Sequence, residues 1–354
     1  MSASMPPSLT WLSMSSYFDD VQSLPPGLTF LHLDHSARIL PGALPHSLTH
    51  LIYVDQAYSV DRSAGTISVR PGTIPPSVTQ LTIGNIVPYG DASNKAVPLL
   101  PNSITDLTFS DYCNQPLGNN GGIIIPEAVT KLSFGHCFNQ RVNPHLLPSS
   151  ITKLSFGFNF NQPLRFNSIP PSVTRLRFGE SFNQVLHPGT LPSSSLIHLS
   201  FGFDFNCPLA VGSIPSTVRF LKFGDRFNQS ISNPILQESL TNLKLGYKFD
   251  KMLDVPKSLV KLRIGRFGPY HQDPNDDSHN VKLLKRIPRD QIKTIHLDTK
   301  PSSLKHISIG MGHYQHIVSV NDQRRLNFTI VHHKPLLISL EFRSRSLSSV
   351  RYPP

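Results

Sequence analysis

Polar and apolar residues alternate along this chain in one short phrase that keeps returning. In IPPSVTRLRFGESFNQVL, residues 169–186, the apolar positions Val173, Leu176 and Phe178 are separated by the polar Thr174, Arg175 and Arg177. Apolar residues two apart mark a short strand with one buried face. Leu176 and Phe178 are expected to face inward, and Arg175 and Arg177 outward. Pro170 has a fixed φ and no N–H, so it suits the corner ahead of the strand. Gly179 follows the strand, where the chain bends and a side chain would obstruct. Phe182 is the next inward plug. The amide of Asn183 is then placed to satisfy backbone groups left free in the turn.

The clearest copies of this phrase start at Ile125, Leu147, Ile169, Leu191, Ile214 and Leu236, so successive steps are 22, 22, 22, 23 and 22 residues. Weaker copies start upstream at Pro6, Leu24, Leu44, Ile74 and Leu100, and downstream at Val255, Ile287 and Pro301. Segments 54–72, 85–98 and 266–286 interrupt the period and are rich in Gly, Asn, Asp and Pro, the composition of surface loops. A period of this length with these apolar spacings is the signature of a leucine-rich-repeat-like solenoid. One coil cannot bury its own face, so the copies must stack on one another. The expected fold is therefore a β-rich, right-handed solenoid with a parallel sheet and irregular or short helical returns.

The organisation follows from the same pattern. Residues 1–99 hold divergent repeats and 100–265 the regular ones. Residues 266–310 hold a loop and degenerate repeats, and 311–354 a small β cap at the C-terminal end. In that cap LNFTIVHH and LLISLEF alternate as two antiparallel strands. All four are expected to form one continuous solenoid. Two columns of like residues run through the regular copies. One is Asn114, Asn139, Asn161, Asn183, Asn206 and Asn228. The other is Phe138, Phe160, Phe182, Phe205, Phe227 and Phe249. The asparagines are expected to form a hydrogen-bonded ladder and the phenylalanines a buried stack, both structural.

Phe-Asn-Gln-Pro-Leu, preceded by Ile-Pro-x-Ser-Val-Thr-x-Leu-x-Phe-Gly, resembles the FNIP repeat. This is a leucine-rich-repeat-like family of social amoebae and of giant viruses that infect amoebae. The resemblance is strongest over 100–253 and weaker over 24–99 and 254–310. It implies a non-enzymatic interaction scaffold. Some members of the family carry an F-box or a kinase-like region. Here the repeats begin almost at the N-terminus, and neither a Gly-rich phosphate loop nor a kinase catalytic loop is visible. Neither activity is expected.

Charge changes the picture more than composition does. Lys and Arg exceed Asp and Glu by 33 − 22 = 11, which favours an acidic partner. The positive charge is sorted by position in the coil. The outward strand positions of seven successive copies are Lys131 and Ser133, Lys153 and Ser155, Arg175 and Arg177, His198 and Ser200, Phe220 and Lys222, Asn242 and Lys244, and Lys261 and Arg263. Eight of these fourteen are Lys or Arg and none is acidic, so the stripe is the candidate binding face. The acids Asp111, Glu180, Asp204 and Asp225 fall instead just past the strand. Two like charges one strand apart cost ~0.9 kcal/mol even in water, which an acidic partner relieves. The expected partner is an acidic protein or a phosphorylated segment. Nucleic acid or anionic phospholipid is the alternative for the same stripe. Only Phe220 interrupts these columns as an aromatic, which is thin for base stacking. The competing bland reading is a solvated face that discourages edge aggregation.

The remaining chemistry is slight. His313, His316, His332 and His333 lie close in sequence, but no cysteine or carboxylate accompanies them at metal-ligand spacing. No metal or cofactor is expected. Cys113 and Cys137 fall near equivalent points of adjacent coils, and small buried thiols are the expectation there. With three cysteines, no secretory leader and no membrane-length apolar run, an intracellular, cytoplasmic location is expected. An enzyme built in the irregular loops finds no support in any nucleophile–base–acid pattern.

Overall fold

The computed structural model describes residues 5–15, 24–34, 39–54, 66–88, 99–118, 122–231 and 234–246, together with short stretches from 248 to 264 and the strands at 294–297, 306–311, 314–319 and 326–329. The chain forms two compact units. The first is Met1–Gln184 with Thr190–Leu196, and the second is Val185–Gly189 with Ile197–Pro354.

Unit 1 is built on a parallel sheet in which each strand belongs to one coil of a β-solenoid. Its strands are β1 (Trp11–Ser15), β2 (Phe30–Asp34), β3 (His50–Val54), β5 (Gln80–Ile83), β7 (Asp106–Phe109), β8 (Lys131–Ser133), β9 (Lys153–Ser155) and β10 (Arg175–Arg177), paired in that order. Unit 2 repeats the arrangement. Its strands β11 (His198–Ser200), β12 (Phe220–Lys222), β13 (Asn242–Leu245), β14 (Lys261–Ile264) and β15 (Thr294–Leu297) are parallel. No helix occurs among the described residues, so the returns there are irregular.

The alternation sets the burial. Leu132, Leu154, Leu176, Leu199, Leu221 and Leu243 hold the centre of their strands and are all buried. The Phe that ends each phrase adds a second inward layer. Within unit 1 Phe109, Phe134, Phe156 and Phe178 stack at 5.6, 5.5 and 5.6 Å between ring centroids. Phe138, Phe160 and Phe182 stack beside them at 6.1 and 5.9 Å. The two columns touch ring to ring inside each coil, Phe156 against Phe160 at 3.9 Å. In unit 2 Phe201 and Phe223 form one column and Phe205, Phe227 and Phe249 the other. Each buried ring contributes roughly 1.5–3 kcal/mol by transfer alone, and its stacking roughly 0.5–1.5 kcal/mol more.

Three further columns explain why the phrase is worded as it is. The Ser of Pro-x-Ser donates to a carbonyl of the coil before, Ser150 to Val129 and Ser172 to Ile151, and in the copy with one extra Ser the next residue, Ser195, donates to Val173. The Thr two residues later does the same, Thr130 to Thr105, Thr152 to Thr130 and Thr174 to Thr152. The Ser hydroxyls pair carbonyls just ahead of the strands, whereas the Thr hydroxyls join two backbone N–H groups of the same coil on one carbonyl, as Thr152 and Lys153 do on Thr130. The glycine after the strand answers to close approach. A Cβ on Gly157 would overlap the Gly135 carbonyl, and one on Gly179 the Gly157 carbonyl. A different position, two residues before six of the Ile/Leu-Pro pairs, has a positive φ: Gly42 and Gly72 at 81°, His145 and Asn167 at 63°, Gly189 at 81° and Gly212 at 84°. Glycine adopts that conformation freely, and Asn and His are among the side chains that enter it at modest cost.

Two expectations need correction. Segments 54–72 and 85–98 are not only loop. Thr66–Val69 (β4) and Asn85–Pro88 (β6) pair in parallel as a second, two-stranded sheet. Their apolar positions are too few to stand out from the Gly- and Asn-rich sequence around them, yet Val69 and Ile86 are buried. The copy starting at Pro301 does not add a rung to the parallel sheet. His306–Met311 (β16) pairs antiparallel with Tyr314–Ser319 (β17) in a sheet of its own. Within the segment expected to cap the fold, Leu326–Thr329 (β18) pairs antiparallel with β15. The LLISLEF segment lies outside the described residues.

Candidate functional site

The outward positions of the strands line up across each unit. In unit 1 the first outward position runs Trp11, Phe30, His50, Gln80, Asp106, Lys131, Lys153 and Arg175 in successive register. The second runs Ser13, His32, Ile52, Thr82, Thr108, Ser133, Ser155 and Arg177. Side chains at the same strand position lie one strand spacing apart, ~4.8 Å.

This geometry sorts the basic residues. Lys131 is exposed and its Nζ meets Asp106 Oδ2 at 2.7 Å, so part of its charge is already answered by the rung before it. Lys153, Arg175 and Arg177 are exposed and have no acidic group within ion-pair distance among the described residues. Arg175 and Lys153 are direct register neighbours. In unit 2 His198 lies flat against Phe220, ring centroids 4.3 Å apart. Lys222 sits in register with Lys244, and Lys244 with Arg263. Lys222 and Lys244 are half-buried. Lys261 and Arg263 lie on β14, whose side chains lie outside the described residues.

The acids past the strand are spent within the fold. Asp111 Oδ1 accepts from the His136 N–H at 3.4 Å. Asp204 pairs with Arg226 at 2.7 Å, and that guanidinium also lies over the Phe203 ring. Asp225 is buried, and Glu180 is half-buried.

The asparagine column lies in the returns. Asn139, Asn161 and Asn183 each donate their backbone N–H to the side-chain oxygen of the Asn one coil earlier, at 2.8, 2.9 and 2.9 Å. Asn228 does so to Asn206 at 2.8 Å. The following Gln joins in: Gln184 Nε2 donates to Asn161 Oδ1 at 2.9 Å, and Gln229 Nε2 to Asn206 Oδ1 at 3.1 Å. Asn85 starts the column by accepting from Asn114 N–H. Cys207 occupies the Gln position of its own copy. These groups hold coils together.

The described residues hold free thiols and no metal cluster. Cys113 is buried, and burial pushes its thiol up to about 11, so the reactive thiolate is scarce at neutral pH. Burial also raises the Cys207 thiol. Cys137 is a free thiol. Among the described residues no group of three His, Cys, Asp or Glu could hold a metal. His313, His332 and His333 lie outside them, and His316 lies on β17. No helix of the described residues is long and apolar enough to cross a membrane.

Sequence reading missed two things on the outward face. One is the Trp11–Phe30 pair, stacked at 5.3 Å and 9° with Trp11 57% exposed, and followed by His50 at 6.4 Å. Its signal lay in the weak copies, where SLTWLSM and GLTFLHL place an aromatic at the first outward position. The other is the Asp106–Lys131 pair, where an upstream acid neutralises the first cation of the stripe.

Comparison with known proteins agrees with this architecture. The model of the FNIP Repeat family matches residues 96–137, 121–159, 138–181, 160–203, 182–226 and 227–267. None of the curated proteins matches the chain. A similar solved structure is that of CroV588, a giant-virus protein described as a novel circular LRR protein structure. It is 29% identical, with a TM-score of 0.60 over 83% of this chain and 44% of that one. This chain thus spans less than half of that protein's length. Repeat folds of this kind are typically non-enzymatic scaffolds for protein interaction. Residues 96–267 are FNIP repeats, carried on a leucine-rich-repeat-like β-solenoid fold.

Proposed function

We propose that this protein is a non-enzymatic interaction scaffold whose basic strand face binds an acidic or phosphorylated protein segment. The observation that carries the reading is the cluster Lys153, Arg175 and Arg177. The three are exposed, sit on adjacent rungs, and have no acidic partner among the described residues. Like charges at strand spacing repel by ~0.9 kcal/mol per pair in water, and a partner carboxylate or phosphate relieves that repulsion. Arginines also offer paired donors that match either group. In unit 2, Lys222, Lys244 and Arg263 repeat basic residues at one strand position. The acids placed just past the strands are engaged within the fold, which leaves the strand face positive.

The test is a binding assay on the full chain with acidic and phosphorylated peptides, comparing the native protein with Lys153→Glu/Arg175→Glu/Arg177→Glu. Folding of the variant is checked by circular dichroism. The reading predicts that affinity falls at least tenfold in the variant and weakens steeply with salt. Equal binding by both proteins would sink it and leave these residues as a solvated surface. Tighter binding of a single-stranded oligonucleotide or of anionic vesicles would replace it with the alternative partner classes.

A further inference from the structure

The outward face of unit 1 is not uniformly basic. From β1 to β10 the first outward column changes character: aromatic at Trp11, Phe30 and His50, neutral at Gln80, acidic but paired at Asp106, then cationic at Lys131, Lys153 and Arg175. Trp11 and Phe30 are stacked with their planes only 9° apart, and Trp11 is exposed. All eight residues belong to one sheet in one compact unit. Resting on the proposed function, we infer that this face reads a linear protein segment of two parts, an aromatic or aliphatic anchor and an acidic cluster, set a fixed distance apart.

The distance follows from the rungs. Phe30 and Lys153 are five rungs apart, or ~24 Å at ~4.8 Å per strand, and Trp11 and Arg175 seven rungs, or ~34 Å. A peptide laid extended across the strands rises ~3.4 Å per residue, so anchor and acids should be about seven to ten residues apart. The anchor would lie against Trp11 and Phe30. Large aromatic surfaces of this kind are favoured as binding anchors. The acids would meet Lys153, Arg175 and Arg177.

The separation itself favours a protein segment over a nucleic acid. A single strand carries a phosphate at every nucleotide and needs cations interleaved with its stacking rings. Here the ring end of the face has no Lys or Arg in either outward column until Lys131, and Asp106 lies between. A peptide can keep its apolar and acidic residues apart, as this face does.

Trp11 is the single tryptophan of the chain, so its fluorescence reports on the anchor site alone. The experiment titrates the full chain with tryptophan-free synthetic peptides carrying a Phe and a Glu-Glu-Glu cluster about eight residues apart, about three residues apart, or the cluster without the Phe. Affinity is read by anisotropy of labelled peptide. The widely spaced peptide is expected to bind at least about fivefold tighter than either other peptide and to blue-shift Trp11 emission. That advantage should vanish in Trp11→Ala and return in Trp11→Phe, and Arg175→Glu/Arg177→Glu should weaken all three peptides. Three peptides of equal affinity, or a silent Trp11, would overturn the two-part reading while leaving the basic face intact. If no acidic peptide binds, or the arginine variant binds all of them unchanged, the proposed function falls with it. Trp11 quenching by an oligothymidylate that displaces the peptide would also overturn the inference, by assigning the face to nucleic acid.

Discussion

The first coils of unit 1 and its later ones solve the same stacking problem with different parts. Thr29 and Thr49 reach back 19 and 20 residues to the preceding Thr carbonyl, whereas Thr152 and Thr174 reach back 22. The early coils end their strands with Leu33 and Tyr53 and lack the Phe-Asn-Gln return. The later coils end with Phe134, Phe156 and Phe178 and carry it. Both share the Ser and Thr hydroxyl bonds to the coil before. The strand phrase with its two hydroxyls is thus sufficient to stack a coil. The Phe-Asn-Gln return adds a second buried column and a second set of inter-coil bonds, and with them a constant period. Between the two regions Thr79 and Thr105 reach back 30 and 26 residues. The extra length there houses β4 and β6, which pair with each other as the main strands do.

If the return supplies the later coils with extra stability, it can be removed piece by piece. The largest effect should come from Phe160→Ala. Phe160 is fully buried and stacked on three neighbouring rings, and its loss should cost about 3–5 kcal/mol. Urea denaturation should show a larger drop than for Leu33→Ala, which lacks the stacked column. Next comes Gly157→Ala, whose Cβ has no space against the Gly135 carbonyl. It should cost about 3 kcal/mol, while Gly27→Ala, facing only Pro7 O at 3.8 Å, should stay within about 0.5 kcal/mol of native. Gly27 lies ahead of its strand rather than after it and serves as the unobstructed control. Asn161→Ala removes the acceptor of Asn183 N–H and of Gln184 Nε2 and should cost about 1–3 kcal/mol. A parallel rise in amide exchange at Asn183 would confirm the rung. The smallest effect has the opposite sign. His145→Gly relieves a side chain held at φ 63° and should raise stability by about 0.5–1 kcal/mol, seen as a higher unfolding midpoint.

The coil architecture was legible because its causes recur at a constant period. Phe178 and Gly179 each meet the same residue type one coil earlier, Phe156 and Gly157, so a fixed period reveals contacts 22 residues apart. The asparagine column was legible for the same reason, since one amide recurs at one place. What could not be read depends on meetings across coils of unequal length. The Lys131–Asp106 pair joins residues 25 apart in sequence, and nothing near either residue announces the other. The aromatic column Trp11, Phe30 and His50 was hidden because its copies were weak in the return, though sound in the strand. Val69 and Ile86 went unread because two short apolar runs inside polar sequence reveal a sheet only once the coils are stacked.

The asparagine rungs carry a direction. Every bond runs from the N–H of a later coil to the side chain of an earlier one, so each coil presents an acceptor forward and a donor backward. Removing one whole coil of the regular stretch would bring a donor and an acceptor of the same kind into contact. Duplicating one would do likewise. The length of this region is therefore free to drift by whole coils in the history of the gene, with no orphaned amide to select against the change, whereas a deletion of part of a coil breaks the series at once.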